Sequence, residues 1–274
     1  EVVVGSVDPG NLDTDGNGRT DREDLLEALL SGAGGLTVTG IIAAVDTDGQ
    51  AVDLAAHESY TVLADSLGGF VVVAADGLEL TREAVVPTAG SARAVAVDGH
   101  WAVGGDNRGV LTVLDLARSP ATFAEPRWRV LLGAPIWSLA VADPVAFVGL
   151  DNGLLIAVHL GAGIVLDRLP VTDAKVEDVV VAGRRVAVLA GARLHLFDWD
   201  EPRLHRVGDL PSPGLTVFAN GRNRLFFDGS RVFASHDRGY NQFQIDGLYP
   251  TLVRRVTTGQ TSWKQMITPD GIRG

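Results

Sequence analysis

Residues 146–158 read Ala-Phe-Val-Gly-Leu-Asp-Asn-Gly-Leu-Leu-Ile-Ala-Val. Two apolar runs flank a tight Asp-Asn-Gly turn. Gly adopts positive φ freely and Asn and Asp tolerate it, which is what a two-strand hairpin turn demands. The runs are apolar at nearly every position, so strands covered on both faces are expected. The same pattern recurs outward in both directions, at Tyr60–Val73, Trp101–Leu114, Val186–Phe197 and Val232–Ile245. The turn anchors Asp65, Asp106, Asp151, Gly191 and Asp237 are spaced by 41, 45, 40 and 46 residues.

Each hairpin has an apolar run upstream, at Val52–Ala56, Ala94–Val97, Leu139–Ala142, Val179–Ala182 and Thr216–Ala219. A more polar run follows, at Leu78–Val86, Trp128–Leu132, Ile164–Leu169, Leu204–Leu210 and Leu252–Val256. A sixth copy begins at Gln265–Thr268 as one strand followed by Pro-Asp-Gly. Four short strands per repeat, at a period in the low forties, predict an all-β chain. The expected architecture is a β-propeller of four-stranded antiparallel blades, with five whole blades and parts of a sixth. The charged fourth run suits an outer edge. Leu36–Val45 reads as an outer strand and Glu1–Pro9 as a blade-like strand, so these pieces would supply most of a sixth blade. The expectation is a fragment of a longer polypeptide, with a closed six-blade ring as the alternative.

The wording of residues 41–72, 110–116 and 151–158 resembles the bacterial LVIVD-type propeller repeat, in which a Tyr-Val-Ala-Asp…Gly-Gly hairpin precedes a Val-Ile-Val-Asp strand. The resemblance spans about 36–274 and implies a propeller without catalytic residues. The fourth copy departs from it, with Ala190-Gly191-Ala192 in place of an Asp-containing turn.

Charge divides the chain differently. Residues 1–35 hold eight acids and two bases, within a chain of 274 residues and net charge −11. We therefore read 1–35 as an acidic segment ending in a Gly-rich linker, and 36–274 as the propeller. Within it, Asp13, Asp15, Asn17, the Arg19 carbonyl, Asp21 and Asp24 fall at positions 1, 3, 5, 7, 9 and 12 of a calcium loop, with Gly18 at the turn position. Alternating oxygens on a tightly curling loop point inward, as a many-oxygen Ca²⁺ cage requires. Asp21 would cap one short helix, with Leu25, Leu26, Leu29 and Leu30 on one stripe. The loop resembles EF-hand-like loops of the dockerin or thrombospondin type 3 kind. A dockerin has two loops and this chain one, which weakens docking and leaves calcium binding intact. The competing reading is a solvated acidic turn. Asp46-Thr-Asp48-Gly49 lacks further ligands and reads as a hairpin turn.

Other chemistry is excluded. Without cysteine there are no disulfides and no thiolate sites. The acidic balance argues against nucleic acid. Val130–Leu150 contains Pro135, Asp143 and Pro144 and reads as strands, so no membrane span is expected. The six histidines are scattered without metal spacing, the five tryptophans read as blade core, and no nucleophile elbow or phosphate loop is present. The chain thus reads as an extracellular or cell-surface, calcium-binding scaffold module, with an unknown protein or carbohydrate ligand at the propeller rim. A hydrolase or lyase at the central channel is the alternative.

Overall fold

Runs rich in Val, Leu and Ile, punctuated by Gly turns, fold as twenty-two strands among the described residues. The computed structural model describes residues 43–57, 60–76, 79–214, 223–227, 230–236, 239–247, 249–257, 266–268 and 271–273. Five four-stranded antiparallel sheets follow one another in sequence. The first holds β1 (Asp53–His57), β2 (Tyr60–Ala64), β3 (Phe70–Asp76) and β4 (Glu79–Val86). The second holds β5 (Ala92–Asp98), β6 (Trp101–Asp106), β7 (Val110–Asp115) and β8 (Trp128–Leu131). The third holds β9 (Ile136–Ala142), β10 (Val145–Leu150), β11 (Leu154–His159) and β12 (Ile164–Pro170). The fourth holds β13 (Val176–Ala182), β14 (Arg185–Ala190), β15 (Arg193–Asp200) and β16 (Arg203–Pro211). The fifth holds β17 (Leu225–Phe227), β18 (Arg231–His236), β19 (Gly239–Gln244) and β20 (Thr251–Thr257). A two-stranded hairpin, β21 (Met266–Thr268) and β22 (Gly271–Arg273), comes last.

The first strand of each sheet packs against the first strand of the next, from β1 through β5, β9 and β13 to β17. The core is therefore a series of layers between sheets. Phe70 and Val72 meet Val95 and Ala102 between the first and second sheets. Val103 and Leu111 meet Ile136 and Val148 between the second and third. Phe147 and Leu155 meet Val176 and Val188 between the third and fourth, and Leu189 and Leu196 meet Val232 and Phe243 between the fourth and fifth. Middle strands are buried on both faces, which explains their lack of alternation.

The outermost strands tie sheets together with arginine. Arg129 donates to the Pro87 carbonyl at 3.1 Å, Arg168 to Leu132 at 3.2 Å, and Arg206 to Pro170 at 3.2 Å and Val171 at 3.0 Å. Each reaches back to where the preceding sheet's outer strand ends. On β12, Asp167 accepts the Leu204 backbone N–H at 2.8 Å and pairs with Arg203.

Register corrects the sequence alignment of the turns. The carbonyls of Asp65, Asp106 and Leu150 each accept the N–H of a turn glycine, Gly68, Gly109 and Gly153, so these three residues are equivalent. Asp151 falls one residue later and is exposed. Asp65 and Asp106 are buried instead. Asp106 Oδ1 accepts the N–H groups of Arg108 and Val110, both at 2.9 Å, and Oδ2 that of Gly90 at 3.1 Å. Asp65 Oδ2 accepts Gly49 N–H at 2.8 Å in the same way. The Asp46–Gly49 stretch is thus an entry loop clasped by Asp65, not a hairpin turn. A Cβ on Gly90 would lie 2.2 Å from Asn107 Oδ1, so the clasp needs glycine.

Three further expectations change. The fifth sheet begins at Leu225–Phe227, because Leu225 pairs with Ala234, whereas Thr216–Ala219 lies outside the described residues. The sixth copy is a hairpin rather than a lone strand, with Ile267 opposite Ile272. Ala43–Val45 forms no strand, and 36–42 lies outside the described residues. The expected helix at Asp21–Leu30, the boundary at residue 35 and Glu1–Pro9 also lie outside them. Among the described residues the one helical element is a 3-10 turn at Pro120–Thr122. Val130–Leu150 forms the end of β8 with β9 and β10, and no described helix is long and apolar enough to cross a membrane.

Candidate functional site

The expected calcium ligands Asp13, Asp15, Asn17, Arg19, Asp21 and Asp24 all lie outside the described residues. Among the described residues no group of three or more His, Asp or Glu side chains could hold a metal. Chemistry concentrates instead where the chain enters its inner strands.

β5, β9 and β13 each carry a bulge at the same point of their register. Ala92 and Ala94 pair with Asp106 and Gly105, Ile136 and Ser138 with Leu150 and Gly149, and Val176 and Asp178 with Ala190 and Leu189. The extra residues are Arg93, Trp137 and Glu177. A bulge leaves one residue unpaired and re-aims its side chain. Here, at the mouth of the inner strands, two consecutive sheets bring a guanidinium to an indole, and the third buries an acid. Arg93 Cζ lies 5.0 Å and Lys175 Nζ 4.1 Å from the Trp137 ring centroid, both within cation–π range.

The adjoining acids are engaged in holding strands. Glu177 accepts a 2.5 Å hydrogen bond from the Asn223 amide. Asp178 Oδ2 accepts the Leu225 N–H at 2.7 Å, so β13 clasps β17. Asp53 Oδ2 accepts the Val95 N–H at 3.0 Å, so β1 clasps β5. Ser138 donates to the Val176 carbonyl at 3.1 Å, joining β9 to β13. Arg224 then pairs with Asp53 across 171 residues of sequence, bringing the fifth sheet to the first.

Burial dominates the protonation of these acids. It pushes the Asp178 carboxyl up to about 7, against the nearby Arg224 charge and the Leu225 N–H, which pull it down. Burial also raises Glu177, opposed by the Asn223 amide and the Lys175 charge, and raises Asp53, opposed by Arg224. His195, on β15, is held below its usual range chiefly by burial, aided by Arg206. Its Nε2 lies 3.2 Å from the Ala190 carbonyl and its Nδ1 3.1 Å from Arg206.

The tryptophans divide. Trp101 is buried between sheets, and Trp199 packs edge-on against Phe147 with centroids 5.4 Å apart, both as blade core predicts. Trp137 serves the mouth, and Trp128 is exposed on the outer strand β8. Sequence reasoning missed the mouth because its members differ in type, and a residue-type search at the repeat period passes over them.

No protein-family model matches the chain, and no curated protein matches it. Solved structures do. The WD40 β-propeller domain of Doa1 is similar over 83% of this chain and 75% of that chain, at 15% identity and a TM-score of 0.63. The chain has the β-propeller fold. U3-55K is similar to this propeller over 80% of the chain and 71% of its own, at 11% identity and a TM-score of 0.61. A chain of the mitotic checkpoint complex is similar over 78% of this chain at 12% identity and a TM-score of 0.62, and 66% of that chain is covered. The propeller thus spans about two thirds of that chain.

Proposed function

We propose that this chain is a secreted or cell-surface, calcium-binding propeller module that binds a protein partner at the mouth of its inner strands without turning it over. One observation carries the binding part. Two successive bulges bring Arg93 to the Trp137 ring beside Lys175, while the acids there, Glu177 included, are spent on holding neighbouring segments. A general acid or base must reach a substrate proton. Asp178 is buried and accepts the Leu225 N–H, so it serves cohesion. The occurrence of a similar chain within the mitotic checkpoint complex supports a protein partner over a carbohydrate.

Calcium binding rests on the oxygen spacing of Asp13, Asp15, Asn17, Arg19, Asp21 and Asp24. The extracellular assignment follows from it, because weak calcium loops fill where calcium is abundant. A hydrolase or lyase is the second reading, favoured by the raised carboxyls of Glu177 and Asp178. A screen of esterase, glycosidase and lactonase substrates decides between them. Background rates throughout fit the binding module. Turnover abolished by Glu177→Gln overturns it.

A further inference from the structure

We propose that the slot between the first and second sheets is a small-molecule site, taking a carboxylate that carries a compact aliphatic or aromatic group. It is built on β7 and β8, so it stands independently of the mouth of the inner strands.

The same slot recurs between successive sheets. Its floor is the face that the third and fourth strands turn toward the preceding sheet. Its wall is the loop by which that preceding sheet's outer strand exits. Between the second and third sheets it is filled. Leu154 follows the turn glycine and stands opposite Pro170, and Ile156 stands opposite Arg168. Ile156 is fully buried in a cluster with Leu132, and Ala134 of the exit loop packs against it. Between the third and fourth sheets His195 occupies the slot, buried and bonded to Arg206, which also reaches the Val171 carbonyl of the exit loop. Between the first and second the ladder repeats, with Val110 opposite Leu131 and Thr112 opposite Arg129. Val110 and Thr112 are shorter than Leu154 and Ile156. The space that those residues fill is left open here, as a cavity of about 420 Å³ walled by Pro87, Thr88 and Ala89. Small-molecule sites occupy roughly 300–1,000 Å³.

The lining fixes the chemistry. It holds one cation, Arg129, and no carboxylate, and Pro87, Ala89, Val110 and Leu131 make it largely apolar. The Thr88 hydroxyl is engaged by the Gly90 carbonyl at 2.6 Å. Thr112 differs. It is 1% exposed, and among the described residues its hydroxyl has no hydrogen-bond partner. A buried hydroxyl between apolar walls is costly until something bonds it. Arg129 commits one N–H to the Pro87 carbonyl at 3.1 Å, which ties the guanidinium to the wall of the slot. Among the described residues it has no carboxylate partner, so its other donors are open to a ligand. Because Thr112 and Arg129 face each other across the ladder, hydroxyl and cation stand on one side of one strand pair. A carboxylate accepts from both, in charge-assisted bonds at the arginine, while its apolar group covers Val110 and Pro87. Backbone register presets the pair, so little ordering opposes binding.

The test uses the whole chain at constant ionic strength with three probes: hydrocinnamate, its neutral amide and acetate. Calorimetry and saturation-transfer NMR read binding. Hydrocinnamate should saturate in the millimolar range or below. The amide lacks the charge and acetate the apolar group, so each should bind at least tenfold more weakly. Thr112→Ile installs the residue that the third sheet carries at this place. It should melt no lower than the parent and lose hydrocinnamate binding. Thr112→Val keeps the volume, removes only the hydroxyl and should weaken the acid. Arg129→Met should bring the acid down to the level of the amide with unchanged circular dichroism. No saturation by hydrocinnamate overturns the inference, as does parental affinity in Thr112→Ile or in Arg129→Met. Equal affinity for acid and amide overturns the carboxylate.

Discussion

Replacing Asp178 by Asn should change how stability depends on pH more than stability itself. The carboxyl is raised from 3.8 to about 7, and burial is the main cause. A raised acid binds its proton more tightly in the folded chain than in the unfolded one. Its stabilising contribution is therefore complete below pH 4 and is lost as pH rises through about 7. Roughly three pH units at about 1.4 kcal/mol each cap the loss at about 4 kcal/mol. Asn stays neutral at every pH and keeps an amide oxygen for the Leu225 N–H, which Asp178 accepts at 2.7 Å. The variant should gain on the parent from about pH 4 up to about pH 7 and hold a constant lead above that. Urea unfolding at half-unit steps from pH 4.5 to 8.5, at fixed ionic strength, gives the difference directly. Glu177 and Asp53 are raised chiefly by burial in both chains, so the difference removes that part of their contribution and keeps only their coupling to Asp178. Parallel profiles, or a variant that loses ground as pH rises, would refute the assignment of a carboxyl raised by burial.

Three further outcomes follow from named contacts. A Cβ at Gly104 would lie 2.4 Å from the Phe70 ring, so Gly104→Ala should destabilise by about 1–3 kcal/mol, with Phe70→Leu recovering part of it in a double-mutant cycle. Arg206→Met removes two carbonyl bonds to the third sheet and should cost about 1–2 kcal/mol in thermal unfolding. The same change should raise the His195 pKa, read by imidazole proton resonances, because Arg206 helps hold it down. Calorimetry at millimolar calcium should show one binding event that Asp13→Ala abolishes. Equal heat from parent and variant would reduce residues 13–24 to an acidic turn.

The strand pattern was legible because Val, Leu and Ile runs alternate with glycine turns at a fixed period, and four of the five first strands fell where the runs predicted. The fifth was misplaced because Leu225–Phe227 is three residues long, too short to stand out beside Thr216–Ala219. The turn anchors misaligned by one residue because Asp serves two purposes here. At Asp106 it is a buried acceptor for three N–H groups, whereas Asp151 is an exposed turn former. The outer arginines carried a readable signal, since Arg129, Arg168 and Arg206 recur at nearly the repeat period. Their carbonyl partners did not, because a backbone acceptor has no residue type. The mouth was illegible for a related reason. Arg93, Trp137 and Glu177 share a position only once a bulge shifts the register, and no composition marks that shift.

That shared bulge separates two kinds of inheritance. Its backbone geometry is set by the pairing of first and second strands, and its occupant contributes nothing to the ladder. Arg93 and Trp137 thus hold equivalent places in the ladder and differ wholly in what they offer a ligand, whereas Glu177 is also tied to Asn223. A propeller built this way can rewrite what it recognises one residue per blade, leaving its core untouched. Exchanging Arg93 and Trp137 should yield a folded chain with the two side chains' places swapped, while replacing Glu177 should also cost the Asn223 bond.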